Sequence, residues 1–362
     1  MQNWLKFYLI FWFTISFSML SWAQESKKNN WKIGGFIDLY YGFDFNQPEA
    51  KKRLPFLYNH TRHDQLIINL ALIQVAYESK RFRGKLGLQQ GTYAQDNYAV
   101  EPRALRWINE ANIGIGLDQE QKLWLDVGVL PSHIGFESAI SCENPTLGRS
   151  LIAENSPYFL TGAKLGWQKD ERWYFSAWLA NGWQIIQGVA GNSLPSFGTQ
   201  ANFSPNDRLT LNWSTLTGNN YPDELRRMRY FSNQYLKYQI SEKWKLVAGI
   251  DLGWEQVAKN STKMNFWSGA SLISTYTFDQ NWKASLRTEY YRDRKGVIAI
   301  TQNTPGLVAS GYSLNLDRKI GENFILRIES RYLISPTEEF LKESKPTSSN
   351  YFMLASISYR LK

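Results

Sequence analysis

Apolar and polar residues alternate one by one along most of this chain, the pattern of β-strands with one apolar face. In residues 244–254 the apolar series runs from Trp244 to Trp254 at every second position, and Lys245 begins the opposite series. Comparable runs lie at residues 31–45, 64–78, 82–92, 109–118, 122–130, 158–168, 172–183, 197–204, 208–217, 228–239, 265–278, 282–292, 308–317, 323–334 and 350–361. The pattern predicts an all-β protein of about sixteen strands.

Two features favour a transmembrane antiparallel up-and-down β-barrel over a soluble all-β protein. Trp244 and Trp254 end one apolar stripe, about 33 Å apart along a strand or about 25 Å when tilted, which is the height of a lipid-facing band between aromatic girdles. The connections also alternate between short turns and longer segments, the latter at residues 46–63, 93–107, 131–157, 294–307 and 335–349. Short turns at one end and long loops at the other are typical of membrane barrels, which must close because lipid cannot satisfy an open edge.

The first segment of the chain predicts export. Residues 7–20 form an uncharged, largely apolar run after Lys6, and Ser21-Trp22-Ala23 supplies a small-x-small site. We therefore expect a signal peptide at residues 1–23 and a single outer-membrane barrel at residues 24–362. An N-terminal membrane anchor is the alternative, which the shortness of the apolar run disfavours. An even strand count would place both ends of the mature chain in the periplasm of a Gram-negative bacterium.

The longest connection, residues 131–157, is a candidate constriction loop between the predicted fifth and sixth strands. If it folds into the barrel, its charged side chains would border an eyelet, where charged rings bias which ions pass. The alternative is an ordinary outer loop with a solvated polar surface. The candidate residues in this loop are Glu137, Glu143, Arg149 and Glu154.

Several short motifs lie in and around this loop. They are Asp126-Val127-Gly128, Pro131, Ile134-Gly135-Phe136-Glu137-Ser138, Glu143-Asn144-Pro145, Arg149-Ser150, Thr161-Gly162 and Asn181-Gly182-Trp183. Together they resemble the outer-membrane β-barrel porin-2 family. The resemblance implies one porin-like barrel over essentially the whole mature chain, an inward-folded loop at this connection, and transport of small solutes. The chain departs from the family in the shorter stretch between Arg149 and Thr161, and in an ending, Tyr359 to Lys362, that lacks a terminal aromatic residue.

The polar faces of the later strands would line the lumen if their apolar faces meet lipid. Alternating basic and acidic side chains there predict a charged wall opposite the inward loop. Because the chain has 41 Lys+Arg against 32 Asp+Glu, we expect a mild preference for anions. Alternatively, the neighbouring ladders neutralise each other as cross-strand pairs. The wall candidates are Lys283, Arg287 and Glu289 on one strand and Arg327, Glu329 and Arg331 on another.

Composition narrows the possible classes of protein. With 15 Trp, 20 Tyr, 20 Phe and a mean hydropathy of −0.41, the chain is too polar for a helical membrane protein and too aromatic for a disordered one. One cysteine, Cys142, rules out a disulfide framework. The histidines are His60, His63 and His133. Neither the first two beside Asp64 nor the third beside Ser132 makes a convincing metal or catalytic site, so we expect no enzyme, cofactor, metal or nucleic-acid partner.

These features predict a porin-like outer-membrane channel for passive diffusion of small polar solutes or ions. A non-conducting barrel for adhesion or assembly is one alternative, and an outer-membrane hydrolase is another. Outer-membrane lipid is the expected surrounding. Two further questions stay open at this stage: whether the basic cluster at residues 51–53 binds lipopolysaccharide phosphates, and whether the barrel assembles as a homotrimer.

Overall fold

The alternating runs form strands that pair with their sequence neighbours. The computed structural model describes residues 30–361, in which sixteen antiparallel strands make a closed barrel. The strands are β1 (Trp31–Asp44), β2 (Leu66–Glu78), β3 (Phe82–Gln90), β4 (Ile108–Gly116), β5 (Leu123–Pro131), β6 (Phe159–Gln168), β7 (Trp173–Ala180), β8 (Ser196–Asn206), β9 (Leu209–Gly218), β10 (Arg229–Gln239), β11 (Trp244–Gln256), β12 (Met264–Thr277), β13 (Trp282–Asp293), β14 (Leu307–Ile320), β15 (Phe324–Ile334), β16 (Phe340–Lys342), β17 (Lys345–Thr347) and β18 (Ser349–Leu361). The strands β16 and β17 form a separate hairpin, and β18 closes the barrel against β1. The predicted barrel of about sixteen strands is confirmed.

Little of the described chain, residues 30–361, is helical. Within it, two short α-helices span Thr92–Asn97 and Leu151–Glu154, and three 3₁₀ turns span Leu105–Trp107, Ser141–Glu143 and Asp223–Leu225. Among residues 30–361, no helix is long and apolar enough to cross a membrane. The predicted signal peptide, residues 1–23, lies outside the described residues.

Burial follows the predicted alternation. On β13, Leu286 is 61% exposed on the outward face, whereas its neighbour Arg287 is 2% exposed on the lumenal face. Aromatic side chains lie near the short-turn end of the outward face, where Trp244 packs edge-on against Tyr276 and Phe324 packs against Tyr359. The outward face is therefore an apolar band with an aromatic border, as the sequence predicts.

The lumen is more apolar than the sequence pattern predicts. Large side chains occupy lumenal positions on several strands, and two loops pack against them. The wall members include Tyr40, Phe231, Trp267, Phe352 and Leu354. The loop of residues 46–63 contributes Leu54, Phe56 and Leu57, and the loop of residues 131–157 contributes Ile134, Leu147, Leu151 and Ile152. The predicted inward fold of the longer loop is confirmed, and the first loop folds inward beside it.

Two glycines at the base of the inward loop have backbone conformations that other residues rarely adopt. Gly128 on β5 has φ +131°, and its cross-strand partner Gly162 on β6 has φ +156°. A Cβ atom on either would clash with a backbone carbonyl oxygen of the next strand, that of Ala111 or Leu179. The two glycines let β4 approach β5 and β7 approach β6 closely, near the point where the loop leaves the barrel wall.

We expect Gly162→Ala to lower the free energy of unfolding by about 2–4 kcal/mol, because it adds both a strained φ and a backbone clash. The matched control is Gly34→Ala, where the added Cβ would lie 3.5 Å from the Leu361 carbonyl oxygen, an ordinary contact. Urea unfolding in detergent micelles, followed by tryptophan fluorescence, measures both variants. Equal stability of the two variants would contradict this account.

Candidate functional site

The predicted charged wall exists, and its charges are paired. Alternation along β13 and β15 turns Arg287, Glu289, Arg327, Glu329 and Arg331 into the lumen, where all five are buried. Arg287 Nη2 lies 2.7 Å from Glu329 Oε1, and Arg331 Nη2 lies 2.5 Å from Glu289 Oε1. Arg327 Nε pairs at 2.7 Å with Asp317 of β14. The cross-strand neutralisation considered from the sequence is thus present here.

The carboxylates of this wall also hold the backbone of the inward loop. Glu289 Oε2 accepts a hydrogen bond from the Leu151 amide at 2.7 Å. Glu329 Oε2 accepts one from the Gly148 amide at 2.5 Å. Each buried carboxylate therefore has both an arginine and a loop N–H, the combination that compensates for its lost hydration.

The arginines of the wall donate hydrogen bonds to carbonyl oxygens of the loop. Arg287 Nη1 donates to the Gly148 carbonyl oxygen at 2.6 Å, and Arg331 Nη1 donates to the Arg149 carbonyl oxygen at 3.0 Å. Arg327 donates to the carbonyl oxygens of Ser141 and Asn144 at 2.6 and 3.0 Å. We define these three arginines with Glu289 and Glu329 as the anchoring wall, because they fix the loop through its main chain.

The acidic residues of the loop mostly serve the loop itself. Glu137 accepts a hydrogen bond from the Ser150 amide at 3.2 Å and another from the Ser150 hydroxyl. Glu154 accepts one from the Tyr58 amide of the first loop at 2.8 Å. Burial raises the pKa of both carboxyls, with Arg287 and Arg149 opposing the rise at Glu137 and Glu154 respectively. Glu154 is buried and joins the two inward loops, whereas Glu137 is only partly buried and binds Ser150 within its own loop.

The remaining candidates lie in three different environments. Arg149 is buried over the Tyr158 ring, with its Nε 4.0 Å from Glu154. Glu143 is partly exposed and pairs at 2.6 Å with Arg360 of β18. Lys283 shares the lumenal phase of Arg287 but is exposed near the short-turn end of β13. The structure brings the anchoring wall and the loop together, and Lys283 lies apart from that contact. A constriction role for these residues stays a prediction.

Sequence reasoning missed the part played by the first loop. His60 Nε2 lies 2.8 Å from Asp38 Oδ2, and both side chains are fully buried. The Ser141 hydroxyl of the inward loop donates to the same Asp38 oxygen at 2.9 Å. Asp38 therefore joins β1, the first loop and the inward loop. The available signal was the apolar run at residues 54–57, which is unusual in a solvated outer loop.

The basic cluster at residues 51–53 does not form one exposed patch. Arg53 is buried, donates to the His60 carbonyl oxygen at 2.5 Å and lies over the Phe352 ring. Lys51 lies 3.8 Å from Asp64, and Lys52 lies 2.9 Å from Asp96. The sequence alone allowed Arg53 to bind phosphate groups. In the structure its guanidinium is buried inside the barrel, so it cannot contact phosphates at the surface.

Two neighbouring cavities lie on the side of the lumen formed by the early strands, and the first of them borders the inward loop. One of about 400 Å³ is lined by Lys85, Glu110, Lys237, Arg360 and by the loop residues Glu137, Glu143 and Arg149. The next, of about 470 Å³, is lined by Arg83, Asp126 and Lys164 and shares Glu110 and Pro131 with the first. Among the described residues, neither lining includes a side chain of β13, β14 or β15. The open space therefore lies away from the anchoring wall.

The charges that line these cavities were missed by the sequence reasoning, although they lie in the polar phase of their strands. Lys85 pairs with Glu110 at 2.7 Å. Asp126 accepts both Arg83, at 2.6 Å, and Lys164, at 3.0 Å. Lys85–Glu110 and Asp126–Lys164 join neighbouring strands, and Arg83–Asp126 joins β3 to β5 across β4, so the strand register is needed to find these pairs.

The histidine that the hydrolase alternative would need is used structurally. His133 stacks on Trp178 with ring centroids 4.8 Å apart, and its Nε2 donates to the Thr215 carbonyl oxygen at 2.8 Å. The hydroxyl of the adjacent Ser132 accepts a hydrogen bond from the Ile134 amide instead. In the described part of the chain, no group of three or more His, Cys, Asp or Glu residues is placed to hold a metal ion.

We expect Arg287→Leu to lower the free energy of unfolding by about 3–5 kcal/mol, because Glu289 and Glu329 would lose a buried partner. Lys283→Leu, on the same strand and face but exposed, should change stability by less than about 0.5 kcal/mol. Urea unfolding in detergent micelles measures both, and limited proteolysis of residues 131–157 reports release of the loop. A loop that stays protected in Arg287→Leu would contradict its anchoring by the wall.

The buried His133 should make stability depend on pH. Burial lowers the pKa of His133 to about 4, so the folded state keeps the ring neutral where the unfolded chain protonates near pH 6.5. The resulting stabilisation is complete above pH 6.5 and is lost as the pH falls towards 4, by about 3 kcal/mol in all. His133→Gln cannot titrate, so the stability of the wild-type protein relative to this variant should fall over that range. A constant difference would show that His133 titrates normally.

Comparison with known proteins agrees with this geometry. The family model described as "Putative beta-barrel porin-2, OmpL-like" matches residues 30–361. No curated protein matches the chain. Among solved structures, the outer membrane channel DcaP of Acinetobacter baumannii has a TM-score of 0.61 at 10% identity, covering 93% of this chain and 99% of that one. The anion-selective porin from Comamonas acidovorans has a TM-score of 0.60 at 9% identity, covering 91% and 99%.

A third similar structure is OmpT of Vibrio cholerae in a trimer form, with a TM-score of 0.59 at 10% identity and 91% and 99% coverage. At these identities the likeness shows the fold, and the family match extends over essentially all described residues. Family and fold together indicate an outer-membrane channel rather than an enzyme. The chain therefore belongs to the β-barrel porin-2 family of porin-like outer-membrane proteins.

Proposed function

We propose that this barrel is a channel for passive diffusion of small polar solutes or ions across the outer membrane. The observation that carries the proposal is a pair of neighbouring, charge-lined cavities, the first of which borders the inward loop. Hydrated solutes need a polar lining, and charged side chains at a narrow point decide which ions enter. On this proposal, residues 1–23 are removed during export and residues 24–362 form the mature barrel.

The anchoring wall determines where the pathway runs. Because the loop is bound to β13 and β15 through its backbone, solutes would pass on its other side, along β2–β6 and β10. Arg287, Arg331 and Glu289 then position the constriction without lining it. Glu137, Glu143 and Arg149, which border the cavity, are the loop residues placed to influence passing ions.

The charges on this pathway support a mild preference for anions. Lys85 and Arg360 line the first cavity with their acidic partners, Glu110 and Glu143. Lys237 forms no ion pair within 4 Å in the described part of the chain, and its Nζ lies 5.5 Å from the centre of the Tyr235 ring. A lysine without a direct ion-pair partner in a polar cavity raises the local concentration of anions.

One observation favours the second candidate, a non-conducting barrel for adhesion or assembly. Both inward loops and the lumenal wall contribute to one buried apolar cluster inside the barrel. Single-channel recording after reconstitution in planar bilayers decides between the two. Discrete conductance steps support the channel; folded protein with neither conductance nor solute uptake into liposomes supports the closed barrel.

We expect Lys237→Glu to shift the reversal potential in a KCl gradient towards cation selectivity, lowering the chloride-to-potassium permeability ratio at least about twofold. The matched control is Lys259→Glu, which makes the same change of charge at an exposed position in the loop between β11 and β12. The control should leave the ratio close to that of the wild-type channel. Equal shifts in both variants would show that general surface charge, not the cavity, sets selectivity.

A further inference from the structure

Lys237 differs from the other basic side chains of the first cavity in what surrounds it on the sheet. It lies opposite Thr210 of β9 and opposite Val247 of β11, so neither neighbouring strand offers it a carboxylate. Its side chain is partly buried and lines the cavity. Among residues 30–361 no acidic side chain lies within ion-pair distance of it. The strand register therefore leaves one ammonium group in this lining available to a solute.

Every other charged side chain of this lining has a polar or ionic partner within the chain. These partnerships are Lys85 with Glu110, Arg360 with Glu143, Arg149 with Glu154, and Glu137 with Ser150. A solute with two negative charges would have to break one of these contacts to neutralise its second charge, which costs free energy in a confined site. The lining therefore fits a solute with a single negative charge.

Two aromatic rings border the cavity beside Lys237. Tyr235 lies two positions earlier on the same face of β10, and Phe136 of the inward loop meets the Tyr235 ring edge-on, with ring centroids 5.8 Å apart. Gly249 of β11 lies opposite Tyr235, and a Cβ atom there would lie 2.5 Å from Phe136 Cε1. The absence of a side chain at Gly249 thus makes room for the Phe136 ring. Both rings are only partly buried, so a further ring can pack against them.

We propose that the first cavity is a binding site for small monocarboxylates that carry an aromatic ring. The carboxylate would bind the Lys237 ammonium group, and the ring would pack on Phe136 and Tyr235. The cavity of about 400 Å³ lies within the range of small-molecule sites, roughly 300–1,000 Å³. An inorganic anion would leave the two rings without a contact, and a neutral aromatic solute would leave the lysine without a partner. This inference names a solute class for the proposed channel and rests on that function.

Equilibrium dialysis of benzoate against the folded protein in detergent micelles tests the proposal. Empty micelles give the background, and acetate and benzyl alcohol are the matched ligands that lack the ring or the charge. We expect benzoate to bind about tenfold more tightly than either, because only benzoate makes both contacts. Equal binding of benzoate and acetate would overturn the proposal, as would equal binding of benzoate and benzyl alcohol.

Two variants separate the two parts of the site. Lys237→Gln should weaken benzoate binding about tenfold or more, because the carboxylate loses its charged donor. Phe136→Leu should weaken benzoate binding about threefold to tenfold and leave acetate binding unchanged. The control is Lys259→Gln in the exposed loop between β11 and β12, which should bind benzoate as the wild-type protein does. Heat-modifiable gel mobility checks that each variant is folded, and unchanged benzoate binding by folded Lys237→Gln would contradict the proposal.

Bilayer recording distinguishes a failure of this inference from a failure of the proposed channel function. In KCl, we expect discrete conductance steps that benzoate reduces at concentrations at which acetate has no effect. Conductance steps together with no benzoate binding in dialysis would overturn the inference and leave the channel in place. Benzoate binding, lost in Lys237→Gln, by a barrel that does not conduct would support the site and overturn the channel.

Discussion

The structure depends on a mutual compensation between buried charges and a loop backbone. Arg287, Arg331, Glu289 and Glu329 are almost fully buried between the barrel wall and the inward loop. Their ion pairs alone would not offset the cost of dehydrating them, because a buried pair gains little without further hydrogen bonds. The amides and carbonyls of residues 148–151 supply those bonds. The wall side chains satisfy the hydrogen bonds of the loop backbone. In return, the loop backbone compensates for the lost hydration of the wall's buried charges.

This compensation makes the lumen asymmetric. Backbone groups of residues 148–151 bind the anchoring wall on one side of the loop. Side chains such as Glu137 and Arg149 border the first cavity on the other side. The first loop adds a second attachment through Asp38, which accepts both His60 and Ser141. An inward loop held at two places can narrow a pathway reproducibly, since its position does not depend on flexible side chains. A permeation pathway and an apolar cluster can coexist in one barrel when they lie on different sides of the lumen.

The strands, their alternation and the inward loop were predictable from the sequence because each is a local periodic or length signal. The contents of the lumen were not. Tyr40 and Trp267 lie in the polar phase of their strands, where the pattern assigns them to a water-filled interior. The pairing of Arg287 with Glu329 joins residues 42 positions apart and depends on the register of three strands. The position of a residue in the periodic pattern predicts which face of the sheet its side chain lies on. Which residue it pairs with depends on the strand register of the closed barrel.

The outward face of β8, β9 and β10 exposes a second limit of periodicity. Gln234 and Thr215 lie in the same phase as the lipid-facing residues, so alternation treats them as occasional polar exceptions. Register places Thr199 opposite Thr215, and Thr215 opposite Ser232. The Thr199 and Thr215 hydroxyls bond each other at 2.7 Å, and the Ser232 hydroxyl accepts the Trp213 indole N–H at 3.0 Å and the Gln234 side-chain N–H. Because lipid supplies neither donors nor acceptors at mid-height, partners on neighbouring strands are what make these polar exceptions tolerable. Alternation separates inside from outside, but only the register shows whether an outward polar side chain has a partner.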